Sequence, residues 1–273
     1  MVSVIVPLYN HERYIPELIR SVVQSSYTDI ELLVCDDAST DNSFVICQSE
    51  LNRADCKSVL IKNNANQGVS ATLNKLLGMA KGEFILPVAS DDVLTHHSIL
   101  SRVSFLFSRP DIDLVIGDCD VIGDGGGMIR EKLIQNKLKV HFGIEEDILI
   151  NRSMLINWCM PGSVMMYRSA LLDKVYGYNE AVRQEDYDFF LRTLVSGKIS
   201  YIPFTVLLYR KTITEGNDIS KNNIRLTMEN LKVSASYLKK IGMLYKVTIT
   251  IRIAKLSWGL ARFLASYLWK LFN

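Results

Sequence analysis

Apolar positions along this chain fall into short runs separated by amphipathic segments. VSVIVPLY (2–9), IELLVC (30–35) and SVLIK (58–62) have the length and content of strands, and a fourth is expected over 83–88. Between them the spacing predicts helices over 15–26, 41–52 and 69–80, the second opened by Thr40 and Asp41 as caps. Strand–helix alternation at this interval predicts an α/β fold, a mostly parallel sheet flanked by helices. Ligands of such sheets bind at the carboxyl ends of the strands. The second half is less regular. DLVIG (113–117) and SVMMYR (163–168) read as strands, GDGGG (123–127) as a turn, and a short helix runs to Tyr176 and stops at Gly177. QEDYDFFLRTLVSG (184–197) has helical spacing, and SYIPFTVLLYR (200–210) returns to strands.

Charge changes this picture at the far end. Glu229 is the last acid; eight cations follow it, from Lys232 to Lys270, so residues 1–229 carry 23 basic against 29 acidic side chains. The body is therefore anionic and the remainder cationic. In 243–273 no uncharged run approaches the ~20 residues of a membrane span. Arg252, Lys255, Arg262 and Lys270 recur at helical spacing among leucines, with Trp258 and Trp269. Such a helix either lies in an anionic membrane interface or packs on the anionic body. VTITIRI within it alternates with period two, as a strand would.

Composition narrows the classes. With 48% apolar and 22% charged residues the chain is an ordered globular protein. Five cysteines without a C-x-x-C pair argue against a zinc or disulfide framework, and no basic secretory leader precedes the first strand. A cytoplasmic protein, free or peripheral on the cytoplasmic face of the membrane, is expected. No G-x-G-x-x-G follows the first strand, which sets aside a dehydrogenase. The basic residues form no polar stripe suited to nucleic acid.

Three acidic pairs carry the candidate chemistry. Asp36-Asp37 and Asp91-Asp92 each end a strand, and Glu185-Asp186 opens a helix. Helix caps explain some of these acids but not two adjacent carboxylates on a buried strand end, which need a positive partner. A hard divalent cation bound together with a diphosphate is such a partner. A carboxylate at Asp37 can accept the ring N–H of a nucleobase. One of Glu185 and Asp186 can serve as a general base. His96-His97 read as helix-start residues, and Asp118, Asp120 and Asp124 as a solvated loop without the glutamate of a calcium site.

VSVIVPLYN, DDASTD, NNANQGVSATLNKLLGMAKGEFI, SDD, MPGSVMMYR and QEDYDFFLR, in this order, resemble the family 2 glycosyltransferases over about residues 2–210. The resemblance implies a GT-A fold and an enzyme that moves a sugar from a nucleotide-diphospho-sugar, commonly UDP-linked, with Mn²⁺ or Mg²⁺ and inversion at the anomeric carbon. A saccharide or lipid-linked saccharide would be the acceptor. Carried onto this sequence, Pro7 and Tyr9 contact the nucleotide and Asp37 the base. Asp91 meets the ribose or the metal, Asp92 holds the metal, and Asp186 deprotonates the acceptor with Glu185 beside it. Ala89 stands where many members have an acid, which leaves the division between Asp91 and Asp92 open. The Q-x-x-R-W motif of processive synthases is missing, so single-sugar transfer is expected. The expected division is a GT-A domain over 1–215, with a nucleotide half to about 110 and an acceptor half over 111–215, then a helical tail over 216–273. A non-catalytic nucleotide-sugar binder is the rival. A nucleotidylyltransferase is less favoured, because Pro7-Leu8-Tyr9-Asn10-His11-Glu12 is no glycine-rich phosphate loop.

Overall fold

The computed structural model describes residues 1–139, 147–211 and 219–272, and for 219–225, Leu244 and 263–272 the backbone alone. The first half alternates β1 (Val2–Leu8), α1 (Ile15–Val23), β2 (Ile30–Asp36), α2 (Ser43–Leu51), β3 (Lys57–Lys62), α3 (Val69–Leu77) and β4 (Phe84–Pro87). Then come β5 (Val93–Leu94), α4 (Ser98–Ser108), β6 (Leu114–Ile122), β7 (Met128–Arg130), α5 (Leu133–Leu138) and α6 (Asp147–Ile156). The chain continues through β8 (Met165–Arg168), α7 (Leu172–Val175), α8 (Glu185–Ser196), β9 (Ile199–Arg210), α9 (Ile219–Tyr237) and α10 (Met243–Phe272).

Among the described residues nine strands form one sheet, ordered β3-β2-β1-β4-β8-β6-β9-β5, with β7 paired to β6. The first four strands are mutually parallel. The apolar runs of β1, β2 and β4 are buried almost throughout, whereas the edge strand β3 alternates between exposed and half-buried positions. Beyond β4 the pairing is mixed: β8 runs antiparallel to β4 and β6, while β9 runs parallel to β6. The antiparallel β8 brings the 161–163 loop to the same rim as the carboxyl ends of β1, β2 and β4. Asp36-Asp37, Asp91-Asp92 and Glu185-Asp186 thus gather at one edge. Residues 200–210 form one bent strand instead of several, because irregular register between Ile116 and Cys119 lets β9 stay paired throughout. Gly117 sits at that irregularity, where an added Cβ would stand 2.5 Å from both Val206 methyls.

Three local expectations shift. Helix α2 begins at Ser43, not Asp41; the Asp41 carboxylate accepts the Ser43 N–H (2.9 Å) and the Glu12 N–H (3.1 Å), tying two loops together. Asp118 is not in a solvated loop. It is fully buried on β6 and accepts the N–H groups of Ile134 (2.9 Å) and Gln135 (3.1 Å) at the start of α5. VTITIRI is helical, within α10. GDGGG forms the expected turn, closed by the Gly126 N–H to Gly123 carbonyl bond (3.0 Å).

Helices α9 and α10 pack on the body. Val233, Tyr237, Ile241 and Ile249 join the main core, and Thr248 and Arg252 are buried with them. Arg252, named among the candidate membrane-facing residues, therefore faces the protein and not a membrane, as packing on the body requires. Its neighbours Val247, Ile251, Lys255, Trp258 and Arg262 remain exposed. The side chains of Trp269 and Lys270 lie outside the described residues. No helix among the described residues is long and apolar enough to cross a membrane.

Candidate active site

Two adjoining cavities open on the rim where the strands end. The larger, about 390 Å³, is lined by Pro7, Tyr9, His11, Asp37, Asn66, Gly68, Thr72, Ala89 and Ser90 among others. The second, about 200 Å³, is bounded by Pro161, Gly162, Ser163, Tyr178, Tyr209, Asp92, Glu185 and Asp186. They share Pro7, Val69 and Ala89, so a ligand longer than either can lie across both.

Asp37 is the anchor of the first cavity. Its Oδ1 accepts the Asn63 side-chain amide (2.8 Å) and the Gln67 N–H (2.8 Å), and its Oδ2 accepts the Gly68 N–H (2.8 Å). Lys75 in turn donates to the Asn63 carbonyl oxygen (2.8 Å), a route for positive charge to reach the acid. The carboxylate thereby shapes the loop entering α3, where Gly68 adopts φ +87°, a conformation that favours glycine. A carboxylate has about four acceptor directions, and three are used here; one on Oδ2 remains for a ligand N–H. Tyr9, 43% exposed, stands at the mouth as a stacking surface. Ala38, with φ +61°, turns the chain sharply behind Asp37.

His11 was not singled out by sequence reasoning, yet its Nδ1 pairs with the Ser90 hydroxyl at 2.7 Å, joining the loops after β1 and β4 across the cavity. The signal available was its place two residues after Tyr9. Asn63, beneath Asp37, carried a clue only in the double asparagine after β3.

Asp92 is 1% exposed. Its Oδ2 accepts the Ser163 hydroxyl (2.7 Å) and its Oδ1 the backbone N–H of Arg210 (3.0 Å). Burial, then the neighbouring Asp91, pushes its carboxyl up to about 7. Asp91 is half-buried and lines neither cavity. Part of the positive charge that the pair demands comes from Arg210, whose Nε donates to the Asp91 carbonyl (2.9 Å). Its Nη2 is held by Glu17 (2.5 Å) and its guanidinium lies 5.0 Å from the Tyr14 ring centre. That arginine is committed elsewhere and leaves Asp92 well above the usual carboxylate range. Only Asp92 of the pair faces a cavity, and no group of three or more His, Cys, Asp or Glu among the described residues could hold a cation by itself, so the protein could supply a divalent cation with Asp92 and at most its neighbour Asp91. Its remaining ligands would then be diphosphate and water oxygens, the pattern of Mg²⁺ and Mn²⁺.

Glu185 and Asp186 open α8, whose first turn favours acids. Asp186 Oδ1 accepts the Tyr187 N–H at 2.7 Å. Burial lifts both carboxyls, and the Asp186 charge lifts Glu185 further, so the pair holds a proton well above the ordinary range. The 161–163 loop runs beside this pair: a Cβ added at Gly162 would meet the Asp186 Cβ at an ordinary contact distance, 3.4 Å. The next residue, Ser163, both bonds Asp92 and accepts the Ala89 N–H (2.9 Å). One loop therefore spaces the acid pair of α8 from the acids after β4.

The family model for glycosyl transferase family 2 matches residues 3–176, more than half of the chain. This chain belongs to glycosyl transferase family 2. A curated relative of this family 2 glycosyltransferase is the Escherichia coli UDP-Glc:alpha-D-GlcNAc-diphosphoundecaprenol beta-1,3-glucosyltransferase WfgD. It is 27% identical over 231 residues, 82% of this chain and 81% of WfgD. The Staphylococcus aureus poly(ribitol-phosphate) beta-N-acetylglucosaminyltransferase TarS is 28% identical over 222 residues, 80% of this chain but 36% of that longer protein. Among solved structures, TarS 1–349 in complex with UDP-GlcNAc superimposes with TM-score 0.70 at 24% identity, covering 96% of this chain and 71% of the other. The Pyrobaculum calidifontis mannosyltransferase PcManGT, in complex with GDP-Man and Mn²⁺, gives 0.74 at 19% identity, with 97% and 73% covered. The α/β sheet expected from strand–helix alternation is thus the GT-A fold of this family.

Proposed function

We propose that this glycosyltransferase moves one sugar from a UDP-linked donor to a hydroxyl of a lipid-linked saccharide, with inversion and with the help of a divalent cation. The supporting observation is the pair of adjoining cavities, one anchored by Asp37 and the other bounded by Asp92 and Asp186. A nucleoside fits the first, its base taking the free direction on Asp37 and its ring stacking on Tyr9, with Pro7 at the junction. The diphosphate then lies toward Asp91 and Asp92, and the sugar enters the second cavity. Asp186 receives the proton of the acceptor hydroxyl as its oxygen attacks the anomeric carbon from the side opposite the diphosphate. With Asp186 as the base, the proton that the buried pair retains sits on Glu185 beside it. Mg²⁺ or Mn²⁺ held by Asp91 and Asp92 would stabilise the charge on the departing diphosphate. The UDP-GlcNAc complex of TarS and the UDP-Glc in the name of WfgD support the UDP-linked donor, the diphosphoundecaprenol-linked saccharide in the name of WfgD supports the acceptor, and the Mn²⁺ bound by PcManGT, a GDP-Man enzyme, supports the cation.

Asp92→Ala is expected to remove the cation dependence of UDP binding, read by calorimetry with and without Mn²⁺. An unchanged Mn²⁺ dependence would move the cation to Asp91 alone.

For location we infer peripheral contact with an anionic membrane, at the cytoplasmic face. Val247, Ile251, Lys255, Trp258 and Arg262 follow one exposed face of α10, and no acid follows Glu229. Flotation with anionic vesicles should fall as salt rises and be lost in the Lys255→Glu/Trp258→Ala/Arg262→Glu variant. Equal flotation of that variant would exclude this face.

A further inference from the structure

Arg252 of α10 is buried against the body. Only 4% exposed, it has no carboxylate partner among the described residues. Its Nη1 donates to the Leu155 and Ile156 carbonyls (3.4 Å each) at the end of α6, where a helix dipole favours a cation. Its guanidinium carbon lies 4.4 Å from the centre of the Tyr187 ring, and its Nε finds no acceptor. Burial holds it below the ordinary arginine range, so the placement opposes stability on its own.

What the arginine grips lies directly beneath the acid pair. Tyr187 follows Asp186 and gives it the 2.7 Å N–H bond. The Tyr187 hydroxyl pairs with Ser234 on α9 (3.2 Å), and its ring packs on Trp158, with centroids 5.0 Å apart. Trp158 stands just ahead of Pro161 and Gly162, the loop that faces Asp186. The next residue, Asp188, accepts the Tyr237 hydroxyl of α9 (3.0 Å) and pairs with Arg192 (2.8 Å). Helix α9 therefore packs on α8, one wall of the second cavity, and α10 meets the end of α6, which leads into the 158–162 segment on the other side.

The geometry points to Arg252 as a positioning residue, stacking on Tyr187 to fix where the Asp186 carboxylate stands against Gly162. A guanidinium suits this task because its carbon can stand over the ring while a terminal nitrogen, Nη1, reaches both α6 carbonyls, a span that a compact ammonium does not match. The inference rests on Asp186 being the base. It reaches further by making α9 and α10 part of the catalytic scaffold.

Arg252→Met, of similar length, should lower kcat by at least about ten-fold, the scale expected when a reacting group is displaced by a fraction of an ångström to an ångström. The donor KM should stay within about two-fold of wild type, since Asp37 and Tyr9 are untouched. Arg252→Lys should recover only part of the loss, and Thr250→Ala on the exposed side of α10 should lose nothing. Tyr187→Leu should show the same defect, and the double variant no more than the larger single one. Should Arg252→Met fail to fold, Arg252→Lys with Tyr187→Leu supports the same cycle. A folded Arg252→Met enzyme with kcat within about two-fold of wild type, additive losses in the cycle, or an equal loss of donor affinity would each overturn the assignment. Asp186→Asn separates the two ideas: if it stays active, the base assignment fails first, whereas an inactive Asp186→Asn beside a normal Arg252→Met overturns only the positioning role.

Discussion

Asp186→Asn should lower kcat by about 10²–10⁴-fold, the usual contribution of a general base, while UDP affinity stays within about two-fold of wild type. The amide keeps the shape and can still accept the Tyr187 N–H through Oδ1, so the fold of α8 is preserved. What it cannot do is receive a proton. The same substitution should make the protein more stable at pH 8. Burial raises the carboxyls of Asp186 and Glu185 in the folded chain, so the native state holds protons that the unfolded chain has already released. The folded state is favoured most below the ordinary carboxylate range of about 4 and loses that advantage as pH rises through the raised native value. Asparagine removes one ionisation from the pair. Its melting temperature should therefore exceed wild type at pH 8, by roughly 2–4 °C per kcal/mol relieved in a chain of this size, and the gap should close at pH 4. Full activity in the variant, or UDP affinity lost along with kcat, would contradict the role of the residue. The pH–rate profile of wild type should show its acid limb well above pH 4, because the base works only when ionised.

Asp37→Asn should weaken UDP binding by about 10–100-fold, measured by calorimetry, with a smaller loss in kcat. All three protein partners of Asp37 are donors: Asn63 Nδ2, Gln67 N and Gly68 N. An amide has one acceptor oxygen, so in either flip its NH₂ must face a donor. Hydrogen bonds to a charged acceptor contribute about 1.5–3 kcal/mol each, and one such bond lost corresponds to the stated range. The loop before α3 would loosen at Gly68, and with it the floor of the larger cavity. Asp37→Asn binding UDP as wild type does would mean that neither the loop nor the base depends on this carboxylate.

Much of this was legible before any coordinates. Strand–helix alternation to residue 88 places Asp36-Asp37 at a strand end and Asp91-Asp92 just beyond one, in the segment between β4 and β5, because buried parallel strands leave a long apolar run with polar residues after it. The acid at the start of α8 is also a local signal. Harder to read were contacts bridging distant segments: His11 to Ser90, Asn63 to Asp37, and Ser163 to Asp92. Each joins residues 26 to 79 positions apart, and none leaves a periodic trace in the sequence. Asp118 was misplaced for the same reason, since only packing shows that α5 starts against β6 and needs its carboxylate.

The helical period of 243–273 established that the C-terminal segment is amphipathic and cationic, because side-chain spacing is a property of the local chain. It could not say which cation turns inward. Arg252 and Lys255 sit three apart on one expected face, yet the first is buried under Tyr187 and the second is exposed. That choice depends on where α6 ends and where α8 begins, which only the folded arrangement brings within reach. Residue type and order thus determined the family, the sheet and the acids at its rim. Tertiary packing decided which of those acids are held by the protein itself and which positive charges lie close enough to matter, because electrostatic effects depend on distance and burial, and neither is written along a one-dimensional chain.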